Sequence, residues 1–212
     1  MKKAAIIIIL FALYTAAICK IPAVTKWDTA VIVFIQQRMS LLPDWLSFIN
    51  SQKLYYTMIY LPLAAGVIYF AIKKMYADIV ILAASPYIAY GFNTVFKNII
   101  SRPRPPLELQ TGIHTNTYSY VSSHTIITMC LWGMVIFYVN KYCKNKILKT
   151  IITLFSITWI LLLGFSRVLT GVHNPTDVIG AYILGAIFLI FYIKAANLTE
   201  KRNKDEARTC NN

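Results

Sequence analysis

The stretch Ser166–Asp177 places a serine, Arg167, His173 and an aspartate between two long apolar runs. Pro175 suits the first position of a helix, because its missing N–H would be unpaired there anyway. Asn174 then becomes the N-cap, and Asp177 falls in the first turn. From there its carboxylate can reach back toward His173. A histidine held by a carboxylate keeps one tautomer, and its other ring nitrogen is free to attack or to take a proton. Arg167 adds a permanent positive charge matched to phosphate or carboxylate. The competing reading of this stretch alone is a loop with a buried structural His–Asp hydrogen bond.

Two further clusters have the same character. Lys97, Arg102 and Arg104 arrive within eight residues, and Pro103, Pro105 and Pro106 forbid helix continuation and stiffen the loop. Positive charge on a stiff loop is what recognition of a multiply charged anion needs; the alternative is cations facing lipid headgroups. Downstream, Ser122 or Ser123 is a natural N-cap before an apolar run, with His124 in the first turn. A helix N-terminus presents free N–H groups to an anion, though an ordinary cap beside a structural histidine would read the same way.

The elements that must position these residues are membrane spans. The chain has 212 residues, 58% of them hydrophobic, and a mean hydropathy of +0.58, too apolar for an ordinary soluble domain. Six runs approach the ~20 residues needed to cross ~30 Å of hydrocarbon: roughly 4–19, 54–72, 76–96, 124–140, 150–166 and 177–195. The first also has the look of a signal peptide, but lacks a good cleavage site and is read as an uncleaved helix. The expected fold is therefore all-α: a polytopic six-transmembrane-helix bundle with a short outer amphipathic segment between its first two helices. Residues 1–196 form a single membrane-embedded domain with its core at 54–195, and 197–212 a polar, frayed cytoplasmic tail. Within the amphipathic segment, broken by Pro22 and Pro43, Trp27 and Trp45 are expected as headgroup-level anchors; the competing reading is a soluble loop that simply packs on the bundle. Asp78 is expected as an exposed surface charge, and His114 as a solvated loop histidine.

The net charge of +13 matters through its placement. With the N-terminus inside, thirteen of the 21 cations fall in cytoplasmic segments: Lys2, Lys3, Lys73, Lys74, Lys141, Lys144, Lys146, Lys149, Lys194, Lys201, Arg202, Lys204 and Arg208. The other eight are outside, and four of those, Lys97, Arg102, Arg104 and Arg167, surround the candidate site. Both termini are then cytoplasmic and the site faces outward. No basic stripe interleaved with aromatics lies outside the spans, which argues against nucleic acid as a partner. The four cysteines lack short pairing, which argues against a metal knuckle or a disulfide framework.

All three clusters fall at one membrane face, and together they match phosphoryl transfer without a metal. Lys97, Arg104 and Arg167 would neutralise phosphate oxygens. Ser122 and backbone N–H groups near Ser123 would complete the cradle. His173, oriented by Asp177, would attack phosphorus. His124 would protonate the leaving oxygen and then deprotonate the hydrolytic water.

The chain here resembles the type-2 phosphatidic acid phosphatase superfamily over roughly residues 20–195. The family's Lys-x6-Arg-Pro motif fits Lys97, Arg104 and Pro105, and its Ser-Arg-x5-His-x3-Asp motif fits Ser166, Arg167, His173 and Asp177. Its Pro-Ser-Gly-His motif is Val121-Ser122-Ser123-His124 here, so the serine and histidine are kept and the proline and glycine are not. Ser123 brings a side chain where glycine allows close approach. Arg102 is out of register with the first motif and is expected to be auxiliary, touching a second phosphate or a headgroup. The resemblance implies hydrolysis of a lipid phosphate or diphosphate in a bacterial cytoplasmic membrane, with undecaprenyl diphosphate, phosphatidylglycerophosphate and lipid A as candidate substrates, no cofactor, and activity in excess chelator. The partner is a membrane lipid within the bilayer. Two rivals share the residues: a phosphotransferase that passes the phosphoryl group to another lipid, and a catalytically silent lipid-phosphate binder or transporter.

Overall fold

The computed structural model describes residues 2–39, 48–49, 51–111 and 116–209. Among them the regular elements are all helices, in the order α1 (Lys2–Lys20), α2 (Pro22–Met39), α3 (Gln52–Ile72), α4 (Tyr76–Ile100), a 3-10 turn (Leu107–Leu109), α5 (Ser123–Tyr142), α6 (Lys146–Leu169) and α7 (Pro175–Thr209). Helices α3 to α7 are each long and apolar enough to cross a membrane, and α1 with α2 makes a sixth candidate bent by 84°. The all-α membrane bundle expected from the apolar runs is therefore present. Trp45 and His114 lie outside the described residues.

Helix α5 is the centre of the bundle, packed along α4, α6 and α7. Its Ile126, Leu131 and Met134 are fully buried. Large apolar side chains elsewhere, such as Ile72, Val80, Ile99 and Leu161, remain exposed on the outer surface. In water that would be costly; against lipid it is the favourable arrangement. Two apolar grooves indent the sides. One, of about 610 Å³, runs between α1, α4 and α7. The other, of about 510 Å³, lies over α5 between α3 and α6.

The expectations for Asp78 and for the tail are corrected. Residues 22–39 form the segment expected between the first two spans, and of its two readings the structure has the one packed on the bundle. The chain turns sharply at Ile21–Pro22, and α2 is docked on the end of α6 and α7. Its Ile32 is fully buried with Val168 and Val178, and Gln36 Nε2 donates to the carbonyls of Leu109 (2.8 Å) and Leu169 (2.9 Å). Trp27 is half exposed, as an anchor would be. Asp78 is buried rather than exposed, because the first turn of α4 packs where Tyr138 of α5 stands beside it. The polar tail does not fray directly after the last apolar residue. Helix α7 continues to Thr209, and Lys141 holds its extension through Glu200 (2.7 Å) and Asn197 (3.2 Å).

Candidate active site

The C-terminal ends of α4 and α6 and the N-terminal ends of α5 and α7 meet at one end of the bundle, under α2. Each lends its terminal residues. Helix α4 stops at Ser101, which is left-handed at φ 52°, and the prolines that follow keep the chain extended. The loop Arg102–Pro106 then runs against residues 117–119. Ser119 N–H donates to the Arg102 carbonyl (2.9 Å). Arg104 donates from Nε to the Thr117 carbonyl (2.7 Å), from NH2 to Thr117 Oγ1 (2.9 Å) and from NH1 to the Val172 carbonyl (2.5 Å). Lys97 Nζ donates to the Tyr118 carbonyl (3.0 Å). Two cations of the first motif thus brace the loop that faces His173.

The turn between α6 and α7 is set by Gly171, at φ +66°. A side chain there would be strained and would run into the Leu109 carbonyl. The turn brings His173 N–H to the Arg167 carbonyl (3.2 Å) and starts α7 at Pro175. Asp177 Oδ2 accepts from the backbone N–H of Asn174 (2.8 Å), the reach-back half of a capping box. It also accepts a short hydrogen bond from Ser119 Oγ. His173 Nδ1 lies 3.7 Å from that same Oδ2 and 3.4 Å from Ser119 Oγ. The expected carboxylate therefore does face the expected histidine, with Ser119 wedged beside the pair. His173 is 3% exposed. Burial, reinforced by the nearby charges of Lys97 and Arg104 and only partly countered by Asp177, pushes its imidazole down to about 3. Burial thus favours the neutral ring, the form that can act as a nucleophile.

Ser122 caps α5 in extended conformation, but its side chain makes no bond to the first-turn amides. Its hydroxyl accepts from Thr125 Oγ1 (3.0 Å) and is fully buried. Ser123 Oγ accepts from Asn93 Nδ2 (2.8 Å), which also donates to the Val121 carbonyl (3.2 Å). His124 packs its ring on Tyr55 of α3, centroids 4.3 Å apart. The charges of Arg167, Lys97 and Arg104 act on His124, so the residues of the three sequence clusters share one electrostatic neighbourhood. Arg167 is half-buried at the last turn of α6.

Arg102 is where the structure departs from expectation. It is not an outlying contact for a second phosphate or headgroup: its guanidinium is buried and spent on protein. NH1 donates to Asp177 Oδ1 (2.5 Å) and Thr176 Oγ1 (2.8 Å), and NH2 to Asp28 Oδ2 (2.6 Å). Burial alone would lower its pKa, but Asp177 and Asp28 more than reverse this and hold it above the usual value.

Sequence reasoning passed over Asp28, Ser119, Asn93 and Tyr55. Asp28 is fully buried on α2 and caps α7, accepting from Thr176 N–H (3.0 Å) and Thr176 Oγ1 (2.7 Å). One signal could have found it: the chain holds only eight acidic residues against 21 basic ones, so a carboxylate inside an apolar stretch should have a cationic partner. Ser119, Asn93 and Tyr55 carried no comparable mark.

The chain has known relatives. The profile of the PAP2 superfamily matches residues 78–200. Phosphatidylglycerophosphatase B of Bacillus subtilis (strain 168) is 30% identical over 112 residues, 52% of this chain and 53% of that protein. Lipid phosphate phosphatase delta of Arabidopsis thaliana is 28% identical over 103 residues, 44% of this chain and 25% of that protein. The chain thus matches about half, or less, of the length of these curated relatives. A solved transmembrane PAP2-type phosphatidylglycerolphosphate phosphatase from Bacillus subtilis superposes with a TM-score of 0.75 at 23% identity, covering 95% of this chain and 98% of that one; it shares the fold. With more than half of its residues matched by the profile, including every residue of the three clusters, the chain belongs to the PAP2 superfamily.

Proposed function

We propose that this chain is an integral-membrane lipid phosphatase that works through a phosphohistidine at His173. The observation that carries the reading is the buried, neutral His173 facing Asp177 on one side and sharing with His124 the field of Lys97, Arg104 and Arg167. A binder needs the cations; it does not need two histidines in that field.

Lys97, Arg104 and Arg167, with the first-turn amides of α5, hold the phosphate oxygens. The ring nitrogen of His173 remote from Asp177, Nε2, attacks phosphorus. The P–O bond to the lipid breaks, and His124, entering as the imidazolium once the bound anionic phosphate offsets the surrounding cations, gives its proton to the leaving oxygen. Asp177 stabilises the positive charge that develops on the His173 ring. Water then attacks the phosphohistidine, His124 takes its proton, the P–N bond breaks, and inorganic phosphate leaves. Lys97 and Arg104 exchange their carbonyl partners on Tyr118, Thr117 and Val172 for phosphate oxygens.

The substrate is a lipid with a terminal phosphate. The names of the relatives favour phosphatidylglycerophosphate or a similar glycerolipid phosphate; undecaprenyl diphosphate presents the same terminal group, and release of its phosphate at the outer face of a bacterial membrane suits the charge distribution of the loops. The groove between α1, α4 and α7 supports a lipid tail. Its Thr15 and Phe96 touch Tyr120, the neighbour of Ser119, so the groove runs up to the site.

The test is phosphate release by the purified protein in detergent, with chelator, from phosphatidylglycerophosphate, undecaprenyl diphosphate and lipid A, beside His173→Ala. Release by the wild type and none by the variant is expected. Appearance of a phosphorylated acceptor lipid without free phosphate would make the chain a phosphotransferase, and silence on all three would make it a binder.

A further inference from the structure

We propose that Asp28 is a positioning residue for this reaction: acting through Arg102 and Thr176, it sets the orientation in which Asp177 faces His173. The proposal rests on the phosphatase reading for its kinetic consequence, but the coupling itself is geometric.

Asp177 has two oxygens, and they are used differently. Oδ1 is taken by Arg102 NH1 at 2.5 Å. Oδ2 is left to accept from Asn174 N–H and Ser119 Oγ and to face His173 Nδ1. What fixes this division is the direction from which Arg102 approaches. Arg102 reaches Asp177 from the proline loop, and a lone guanidinium on a loop could chelate both carboxylate oxygens bidentately, turning Oδ2 away from the histidine. Asp28 prevents that. It draws NH2 to its own Oδ2 (2.6 Å), so that only NH1 is presented to Asp177. Thr176 locks the same arrangement: its hydroxyl accepts from Arg102 NH1 and donates to Asp28 Oδ2, and its N–H donates to Asp28 Oδ1. Both carboxylate oxygens of Asp28 are thereby committed to Thr176, which adjoins Asp177 in the chain, and Arg102, which binds it. The carboxylate comes from α2, the helix docked across the end of the bundle, 148 residues from Thr176.

There is also a charge argument. Two carboxylates share one guanidinium in a buried setting. This leaves Asp177 with part of its negative charge uncompensated, available to the imidazolium that forms when His173 attacks. Removing the charge of Asp28 gives Arg102 wholly to Asp177 and withdraws that support.

The experiment uses Asp28→Asn in the full chain, with two readouts. The first is kcat and KM on phosphatidylglycerophosphate. A displaced orienting group is expected to lower kcat by on the order of 10²-fold with KM unchanged, because the phosphate-binding cations are untouched. The second is the tautomer of His173 by ¹⁵N NMR, assignable because the chain has three histidines. The wild type is expected to hold the single Nδ1–H form and Asp28→Asn to mix the two. Wild-type kcat with a wild-type tautomer in Asp28→Asn overturns the proposal. So does a variant whose only change is a lower unfolding temperature. Should Asp28→Asn not fold, Asp28→Glu, which keeps the charge but displaces Arg102, takes both readouts and is expected to give a smaller loss in the same direction. A tautomer change in Asp28→Asn with a wild type that releases no phosphate from any lipid upholds the coupling and overturns the phosphatase reading instead.

Discussion

His173 Nδ1 and Asp177 Oδ2 stand 3.7 Å apart across one turn of chain, and Ser119 Oγ touches both. The pair is thus held by a serine from a different loop as well as by sequence proximity. Asp177→Asn can still accept from Asn174 but cannot fix the ring in one tautomer. It is expected to lower kcat by on the order of 10⁴-fold, the scale of such a loss in other histidine–aspartate pairs. Ser119→Ala removes its contact to His173 and a hydrogen bond to the Asp177 carboxylate, the latter worth about 2 kcal/mol, and is expected to cost roughly 30-fold. Single-turnover phosphate release checks both, and equal losses would make Ser119 an essential group rather than a brace.

The low pKa of His173 has a signature in stability. The ordinary imidazole takes a proton near pH 6.5, whereas burial keeps the folded-state ring neutral down to about 3. Below 6.5 the unfolded chain therefore binds a proton that the folded chain refuses, and stability falls with pH from 6.5 toward 3. Above 6.5 this contribution is constant. His173→Asn cannot titrate and is expected to flatten the decline of Tm between pH 6.5 and 4. An unchanged slope would mean that the ring is not buried neutral.

Arg104 is a fork rather than a point charge. Its three nitrogens span Thr117 and Val172, tying the loop before α5 to the turn that carries His173. Lysine keeps the charge but cannot make this bridge. Arg104→Lys is therefore expected to raise KM and lower kcat together, by on the order of 10-fold each, with Arg104→Ala worse in KM. Lys97→Arg tests the complementary case, since Lys97 makes a single bond to Tyr118.

The spans and the candidate site residues each leave a local mark: an apolar run of sufficient length, a charge where lipid forbids one, or a capping serine before an apolar run. Lys97, Arg104, Ser122, Ser123, His124, Arg167, His173 and Asp177 were singled out that way, and the structure brings them to one end of the bundle. The role of Arg102 was not legible. Its partners are 74 and 75 residues distant, and nothing in its neighbourhood distinguishes a cation facing solvent from one buried between two carboxylates. The docking of α2 was left open for the same reason. Its mixed pattern fits an interfacial helix and a segment packed on the bundle equally, until Ile32 and Asp28 are seen to face α7.

Ala12 and Ala16 are exposed in the groove between α1, α4 and α7. Ala16→Trp would fill much of that space without touching the polar site. It is expected to raise KM for a long-chain lipid phosphate by on the order of 10-fold, the worth of about 1.4 kcal/mol of lost apolar contact. Hydrolysis of a short, water-soluble phosphate ester should be unaltered. Equal loss on both substrates would locate the tail elsewhere, and the groove over α5 between α3 and α6 would be the next to fill.

Ser123 stands where the family motif has glycine, and its hydroxyl accepts from Asn93 Nδ2 at 2.8 Å. The replacement therefore points sideways to α4, not into the space where phosphate would bind. Asn93 is fully buried, so losing its partner on Ser123 leaves a donor with Val121 alone. Ser123→Gly is accordingly expected to cost stability, about 1 kcal/mol for the hydrogen bond and a few tenths more for glycine in a first helical turn, while leaving kcat/KM within roughly fivefold of the wild type. Chemical denaturation in detergent and steady-state kinetics separate the two effects. A large gain in kcat from Ser123→Gly would show that the serine crowds the phosphate after all, and that this chain departs from its family in turnover rather than in how α5 is anchored.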